Sequence, residues 1–164
     1  MKKTIFTALI ITTIILFASC VKRPVPQTNA GKVFGTYYAI KYRAAENYSE
    51  GFDSVFAQIN KSLSTFDASS VISTINSSDT AVPVDEHFTK VYEDALYVSE
   101  ATGGAFDITV APLVNFWGFG YDPESKSSVR SDAQIDSIME FVGYRKISLE
   151  NGLLTKQDSR IKLD

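Results

Sequence analysis

One cysteine and one histidine in 164 residues decide how this chain can be held together. A single Cys allows no internal disulfide and no thiolate metal cluster, and a single His allows no multi-histidine metal site. What remains is burial of apolar side chains. The composition supplies it, since 45% of residues are hydrophobic, 12% aromatic and 21% charged. Such fractions belong to a globular chain rather than a disordered, collagen-like or disulfide-stapled one. The length suits one domain. Sixteen basic residues stand against nineteen acidic ones, for a formal net charge of −3. No run of Lys or Arg forms a basic block, so nucleic acid is not an expected partner.

The first twenty residues read as an address. Lys2 and Lys3 precede Thr4–Phe17, a 14-residue stretch without charge. That is shorter than the roughly 20 residues a spanning helix needs. A charged start, an apolar middle and small residues after it describe a secretory signal. Ala18 and Ser19 lead into Cys20, an arrangement that resembles a bacterial lipobox, with Phe17 where Leu is commoner. In this reading residues 1–19 are a lipoprotein signal peptide and Cys20 becomes the lipid-bearing first residue of an exported protein. Residues 20–30, which include Pro24 and Pro26, then form an extended tether. An uncleaved anchor with an incidental cysteine is the other reading. Either places the rest of the chain outside the cytoplasm, with folded structure expected from about Gly31.

Hydrophobic spacing predicts the elements that follow. Val33–Tyr42 is rich in β-branched and aromatic residues, with Thr36, Tyr38, Ile40 and Tyr42 on one face, and reads as a strand. Phe52, Val55, Phe56, Ile59, Leu63 and Phe66 form one stripe of an amphipathic helix over Ser49–Phe66. Asp85 is the expected N-cap of a second helix with the stripe Phe88, Val91, Tyr92, Ala95 and Val98, stopped by Gly103-Gly104. Ser131 and Gln134 make a capping box ahead of Ile135, Ile138, Met139 and Val142, and Gly143 ends that third helix. Lys146–Leu149, Asn151-Gly152 and Leu153–Lys156 predict a hairpin. Arg160–Asp164 begins a last extended segment that stops with no turn, cap or polar tail, so a fragment of a longer protein is expected. The class is α+β, a mainly antiparallel sheet flanked by helices.

Several familiar chemistries are absent from this sequence. There is no GxxxxGK phosphate loop and no GxGxxG after a strand. A Ser-His-Asp triad would need His87, which lies beside Glu86 and Phe88 at a helix start and reads better as a solvated surface residue. The unusual stretch is Thr102–Gly120, TGGAFDITVAPLVNFWGFG, with four glycines, several aromatics and the single carboxylate Asp107. Glycines let a backbone approach a ligand, aromatics offer stacking faces, and a lone carboxylate can accept from a heterocycle or a ribose. A helix stop followed by a buried hydrophobic connection describes it equally well.

Thr102–Gly120 closely resembles the signature of the ApbE family, the FAD:protein FMN transferases. Phe34-Gly35-Thr36-Tyr37-Tyr38, Leu63-Ser64-Thr65-Phe66-Asp67 with Ser70 and Asn76 following, and Val142-Gly143-Tyr144 fall around it in family order. The resemblance covers about Phe34 to Asp164, so that residues 31–164 are expected to be the N-terminal part of a flavin transferase domain of the family's T-fold-like architecture. It implies a Mg²⁺-dependent reaction in which FMN passes from FAD to a Thr or Ser hydroxyl of a target flavoprotein and AMP leaves. The implied targets are exported flavin-carrying subunits of membrane redox complexes, and the protein itself is implied to be lipid-anchored, facing the periplasm or cell exterior.

The same resemblance implies site residues. Phe66, where relatives usually have Tyr, would stack on the flavin ring, although it also ends the first helical stripe and so has a core role as its alternative. Ala105, Phe106 and Asp107 would line the FAD site, and Phe34 would touch FAD. Pro112, Asn115, Trp117 and Gly118 would shape the pocket. No Mg²⁺ ligand is implied within this chain; the family's metal-binding segments would follow residue 164. Two other readings stay open, an FAD pyrophosphatase giving FMN and AMP, and a lipid-anchored flavin-binding module without chemistry.

Overall fold

The computed structural model describes residues 22–120 and 131–164. The signal segment and Cys20 lie outside the described residues. The described residues divide into two compact units, with the boundary between Asp53 and Ser54.

In the first unit, β1 (Val25–Val33) and β2 (Thr36–Ala44) form a two-stranded antiparallel ribbon in register Val25↔Ala44 to Val33↔Thr36. Strand pairing therefore starts six residues before the expected Gly31. Residues 25–30 are extended, as a tether would be, but they are paired. Tyr38, Ile40 and Tyr42 are half-buried along one face, whereas Thr36 at the turn is exposed. Gly31 lies opposite Tyr38, whose ring crosses the space a Cβ would need, 3.0 Å away. Phe34 and Gly35 close the turn with φ of 52° and 74°. Tyr42 anchors the exit from the ribbon: its hydroxyl donates to Asn29 Oδ1 at 2.7 Å and accepts from the Tyr48 N–H at 2.7 Å. The Phe52 ring meets the Tyr42 ring edge-on.

Helix α1 (Ser49–Leu63) stops three residues before the predicted end, which takes Phe66 off its apolar stripe. In the second unit α2 (Val71–Ser77), β3 (Val82–Pro83), α3 (Glu86–Ala101), α4 (Ala111–Phe116), α5 (Asp132–Met139), a 3₁₀ turn at Tyr144–Lys146, β4 (Ile147–Glu150) and β5 (Leu153–Lys156) follow. The three strands pair antiparallel in the order β3-β5-β4. Asn151 and Gly152 both have positive φ, the two-residue turn whose twist suits a hairpin. The core joins Ile72 and Ile75 of α2 and Phe88 and Tyr92 of α3 to Ile147, Leu154 and Val82 of the sheet, with Ile161 and Leu163 completing it.

The caps follow the sequence. Asp85 accepts from the Phe88 N–H at 2.8 Å, and the Ser131–Gln134 capping box forms. The row that α3 buries is Phe88, Tyr92, Ala95 and Ser99, while Val91 and Val98 are exposed on its flank. Ser99 is tolerated there because its hydroxyl donates to the Ala95 carbonyl at 2.9 Å. Helix α5 ends at Met139, leaving Val142 beyond it, and Met139 is exposed.

Candidate functional site

The glycine- and aromatic-rich stretch is organised by Asp107. Helix α3 ends on Gly103 and Gly104, both with positive φ, and the Gly104 N–H reaches the Ser99 carbonyl at 2.8 Å. Three residues later, Asp107 Oδ1 accepts from the Thr109 N–H at 2.8 Å and from its hydroxyl at 2.6 Å. Asp107 Oδ2 accepts from the Tyr144 N–H at 2.7 Å, and the fully buried Thr109 hydroxyl accepts from the Gly143 N–H at 2.7 Å. The carboxylate thus ties the Thr102–Gly120 segment to the Val142-Gly143-Tyr144 turn. The helix stop expected from the sequence forms at Gly103-Gly104, but of residues 103–109 only Thr109 is fully buried, so the connection is not the buried one expected. Ala105 and Phe106 are exposed on its surface.

The far end of the same stretch opens onto a cleft of about 820 Å³. Its walls are the turn after α1, the end of α2, helix α4 and the extended segment Arg160–Lys162. Phe66, Phe116 and Pro112 give it apolar and aromatic surface, Asn76 and Asn115 amide groups, and Arg160 and Lys162 positive charge. Phe66 is 83% exposed, which removes its alternative as a core residue. Local hydrogen bonds hold its turn. Asp67 Oδ1 accepts from the Ser69 N–H and hydroxyl at 2.9 and 2.7 Å, which keeps the Asp67 carboxyl below its ordinary value. Ser70 donates from its hydroxyl to the Ser64 carbonyl at 2.7 Å while capping α2.

The opposite wall depends on Asn76, buried at the end of α2. Its Nδ2 donates to the Leu163 carbonyl at 2.8 Å and its Oδ1 accepts from the Leu163 N–H at 2.7 Å. One side chain thereby imitates a rung of a β-ladder and fixes the alternation in which Ile161 and Leu163 are buried while Arg160 and Lys162 face the cleft. The Lys162 ammonium donates to the main-chain carbonyl of Asn76. Arg160 is already matched. Its guanidinium pairs with Asp158 through Nε to Oδ1 at 2.9 Å and Nη2 to Oδ2 at 2.6 Å, and lies 4.0 Å from the Phe141 ring centroid.

The Arg160 hydrogen bonds hold the Asp158 carboxyl well below the usual carboxylate range. A carboxyl depressed in the folded state stabilises it above the unfolded value, about 3.9, and loses that contribution as pH falls. Asp158→Asn should therefore lower the melting temperature at pH 7, and the gap to wild type should close as pH falls below about 4. Parallel curves across that range in thermal melts would contradict this.

Among the described residues, no three His, Cys, Asp or Glu side chains are grouped to hold a metal ion. The carboxylates of the segments around the cleft, Asp67 and Asp158, are occupied by Ser69 and Arg160. Among the described residues, those lining the cleft do not fit a Mg²⁺ site. His87 sits on a separate shallow groove, its Nε2 3.3 Å from Gln58 Oε1, while Asp85 Oδ1 accepts from the Ser62 hydroxyl at 2.7 Å. Ser62, Asp85 and His87 do not form a relay.

Of the site residues expected from sequence, the structure brings Phe66, Pro112 and Asn115 to one cleft; Ala105, Phe106 and Asp107 are not in its walls. Phe34 belongs to the ribbon turn of the first unit and is 52% exposed. Arg160, Lys162, Phe116 and Asn76 escaped the sequence reading as ligand-facing groups. The strict alternation of Arg160-Ile161-Lys162-Leu163 is the signal that could have found the first two.

An aromatic wall facing a cationic rim across an α+β scaffold is the class of site that takes an anionic, ring-bearing ligand. Comparison with known proteins makes the class particular. Residues 34–164 match the ApbE family, and the chain belongs to that family. It is 30% identical over 161 residues to the FAD:protein FMN transferase of Haemophilus influenzae, covering 92% of this chain and 46% of that protein. The FAD:protein FMN transferase of Vibrio cholerae is 29% identical over 161 residues, 92% of this chain and 47% of that one. Among solved structures, the flavin transferase ApbE from Vibrio cholerae superposes with a TM-score of 0.78 at 28% identity, covering 86% of this chain and 48% of that chain. The apo Pseudomonas stutzeri flavinyl transferase ApbE gives 0.77 at 25% identity, over 88% and 50%. The chain spans about half the length of the curated relatives it matches.

Proposed function

We propose that this chain is part of an exported FAD:protein FMN transferase and that the cleft between Phe66, α4 and Arg160–Lys162 receives the flavin dinucleotide. The observation that carries this is the convergence on one cleft of aromatic walls from two segments that the family resemblance picks out, the turn at Phe66 and helix α4, with the cationic segment Arg160–Lys162. Phe66 and Phe116 offer π faces to the ring system, worth about 0.5–1.5 kcal/mol per aromatic pair beyond area burial. Lys162, with a neutral carbonyl as its partner, is the group available to phosphate oxygens, since Asp158 already answers Arg160. Asp107 acts from behind by fixing the loop that leads into α4.

In the proposed reaction the flavin-side phosphorus of FAD gains a bond to a Thr or Ser oxygen of a target flavoprotein. The pyrophosphate P–O bond breaks, the hydroxyl proton is lost, and AMP leaves with the bridging oxygen. What this chain's residues contribute is binding and orientation of the dinucleotide. The Mg²⁺ dependence implied by the resemblance has no ligand set among the described residues, and we derive no step through it. Export and acylation at Cys20 are part of the same proposal, supported by the sequence of residues 1–20, and targets among membrane redox subunits are what the family resemblance implies.

Incubating the chain with FAD, Mg²⁺ and a candidate target subunit, then following AMP release and covalent fluorescent flavin on a denaturing gel, separates the readings. Covalent flavin with equimolar AMP supports transfer. AMP and free FMN without covalent flavin supports the pyrophosphatase, and bound but unreacted FAD supports the binding module.

A further inference from the structure

Charge is segregated along this chain, and the strand register gathers part of it onto one face. Residues 22–44 contain five cations, Lys22, Arg23, Lys32, Lys41 and Arg43, and no carboxylate. After Ala44 there are nine basic residues against nineteen acidic ones. In the β1–β2 ribbon every second residue faces outward. The exposed face carries Lys32 on β1 and Tyr37, Lys41 and Arg43 on β2, separated by uncharged residues such as Pro26 and Ala39. The other face is the half-buried one. Lys32 stands over the Tyr37 ring at 5.1 Å, and that ring is 75% exposed. Of the two cations ahead of the ribbon, Lys22 pairs with Glu46. The three on the face have no ion-pair partner among the described residues.

We propose that this face of the ribbon is a docking surface for an anionic lipid headgroup layer. Charge complementarity selects the partner. A carboxylate-free cationic face attracts anionic phospholipid, and the other face of the ribbon carries no cation to compete with it. An exposed tyrosine beside the cations suits the interfacial layer, where amphipathic rings settle. The ribbon also begins five residues after Cys20 in the sequence, and the electrostatic attraction needs no acylation.

The test uses the full chain carrying Cys20→Ser, so that acylation plays no part. Co-sedimentation is measured with vesicles of phosphatidylcholine alone and of phosphatidylcholine mixed with phosphatidylglycerol. The apolar residues 4–17 contribute to both, so the readout is the preference for the anionic vesicles. The triple change Lys32→Gln, Lys41→Gln and Arg43→Gln should cut that preference by about fivefold per cation removed, and raised salt should weaken the wild-type preference. Ala39→Lys, on the same exposed face, should raise it about fivefold, which keeps the test decisive if the triple variant misfolds. A preference unchanged by both variants would overturn the proposal. So would an unchanged vesicle preference accompanied by loss of binding to a short DNA duplex, which would assign the face to nucleic acid.

Discussion

Replacing Asn76 with alanine is expected to destabilise the second unit by about 2–5 kcal/mol, because it strands both main-chain groups of Leu163 in the core. Leu163 is 1% exposed and Asn76 5% exposed, so water cannot replace the two lost bonds. A buried donor or acceptor left without a partner costs about 1–3 kcal/mol each, and two are orphaned here. Asn76→Asp should fall between alanine and wild type, since it keeps the acceptor for the Leu163 N–H and loses the donor to its carbonyl. The side chain also sets which residues of 160–163 face the cleft, so the alanine variant should lose flavin affinity together with stability. Urea unfolding monitored by tryptophan fluorescence measures it. A loss below about 0.5 kcal/mol would mean that Asn76 does not hold the segment in place.

Asp107→Ala is the second large effect, at about 2–4 kcal/mol, for the loss of three hydrogen bonds from a partly buried carboxylate. Thr109 N–H, Thr109 hydroxyl and Tyr144 N–H all lose their acceptor, and the junction between the Thr102–Gly120 stretch and the Gly143 turn opens. Asp107→Asn should recover only part of this, because its amide NH₂ faces protein donors. The distinguishing measurement is the stability of the flavin-free protein. A clamp predicts a clear fall in its melting temperature. A residue whose only role is to touch FAD predicts an unchanged melting temperature and weaker FAD binding, and that result would return Asp107 to the ligand site.

How much could be read from the sequence varies with what stabilises each element. Helices α3 and α5 and the β4–β5 hairpin were legible because their signals are local: Asp85, the Ser131–Gln134 box and Asn151-Gly152 act within a few residues. Helix α2 was not legible. Its sequence, VISTINS, is β-branched and hydroxyl-rich, and it is helical because Ser70 caps it and Ile72 and Ile75 are buried against the sheet. Strand β3 is two residues long and exists only as a partner of β5. The end of α1 was overrun because Phe66 continues the apolar period, whereas the Ser64–Ser70 turn supplies its own hydrogen bonds and turns that ring outward.

The same division runs through the site. Family order pointed to Phe66, which the structure places on the cleft, and to Ala105–Asp107, of which Asp107 is a clamp and Ala105 and Phe106 are exposed beside it. Lys162 and Asn76 meet across 86 residues of sequence, and no local pattern announces such a contact. The cationic ribbon face was hidden for a related reason, since Lys32 and Lys41 are nine positions apart and only the antiparallel register puts them on one surface.

The proposal that the cleft takes flavin is tested most directly by titrating the 164-residue chain with FAD and following quenching of flavin fluorescence, beside Phe66→Ala and Lys162→Gln. The account predicts saturable quenching by wild type. Phe66→Ala should weaken it about two- to tenfold through lost stacking, and Lys162→Gln should weaken FAD more than riboflavin, which has no phosphate. Saturable binding that neither substitution alters would contradict the assignment of the cleft, as would a folded wild-type chain that leaves flavin fluorescence unchanged.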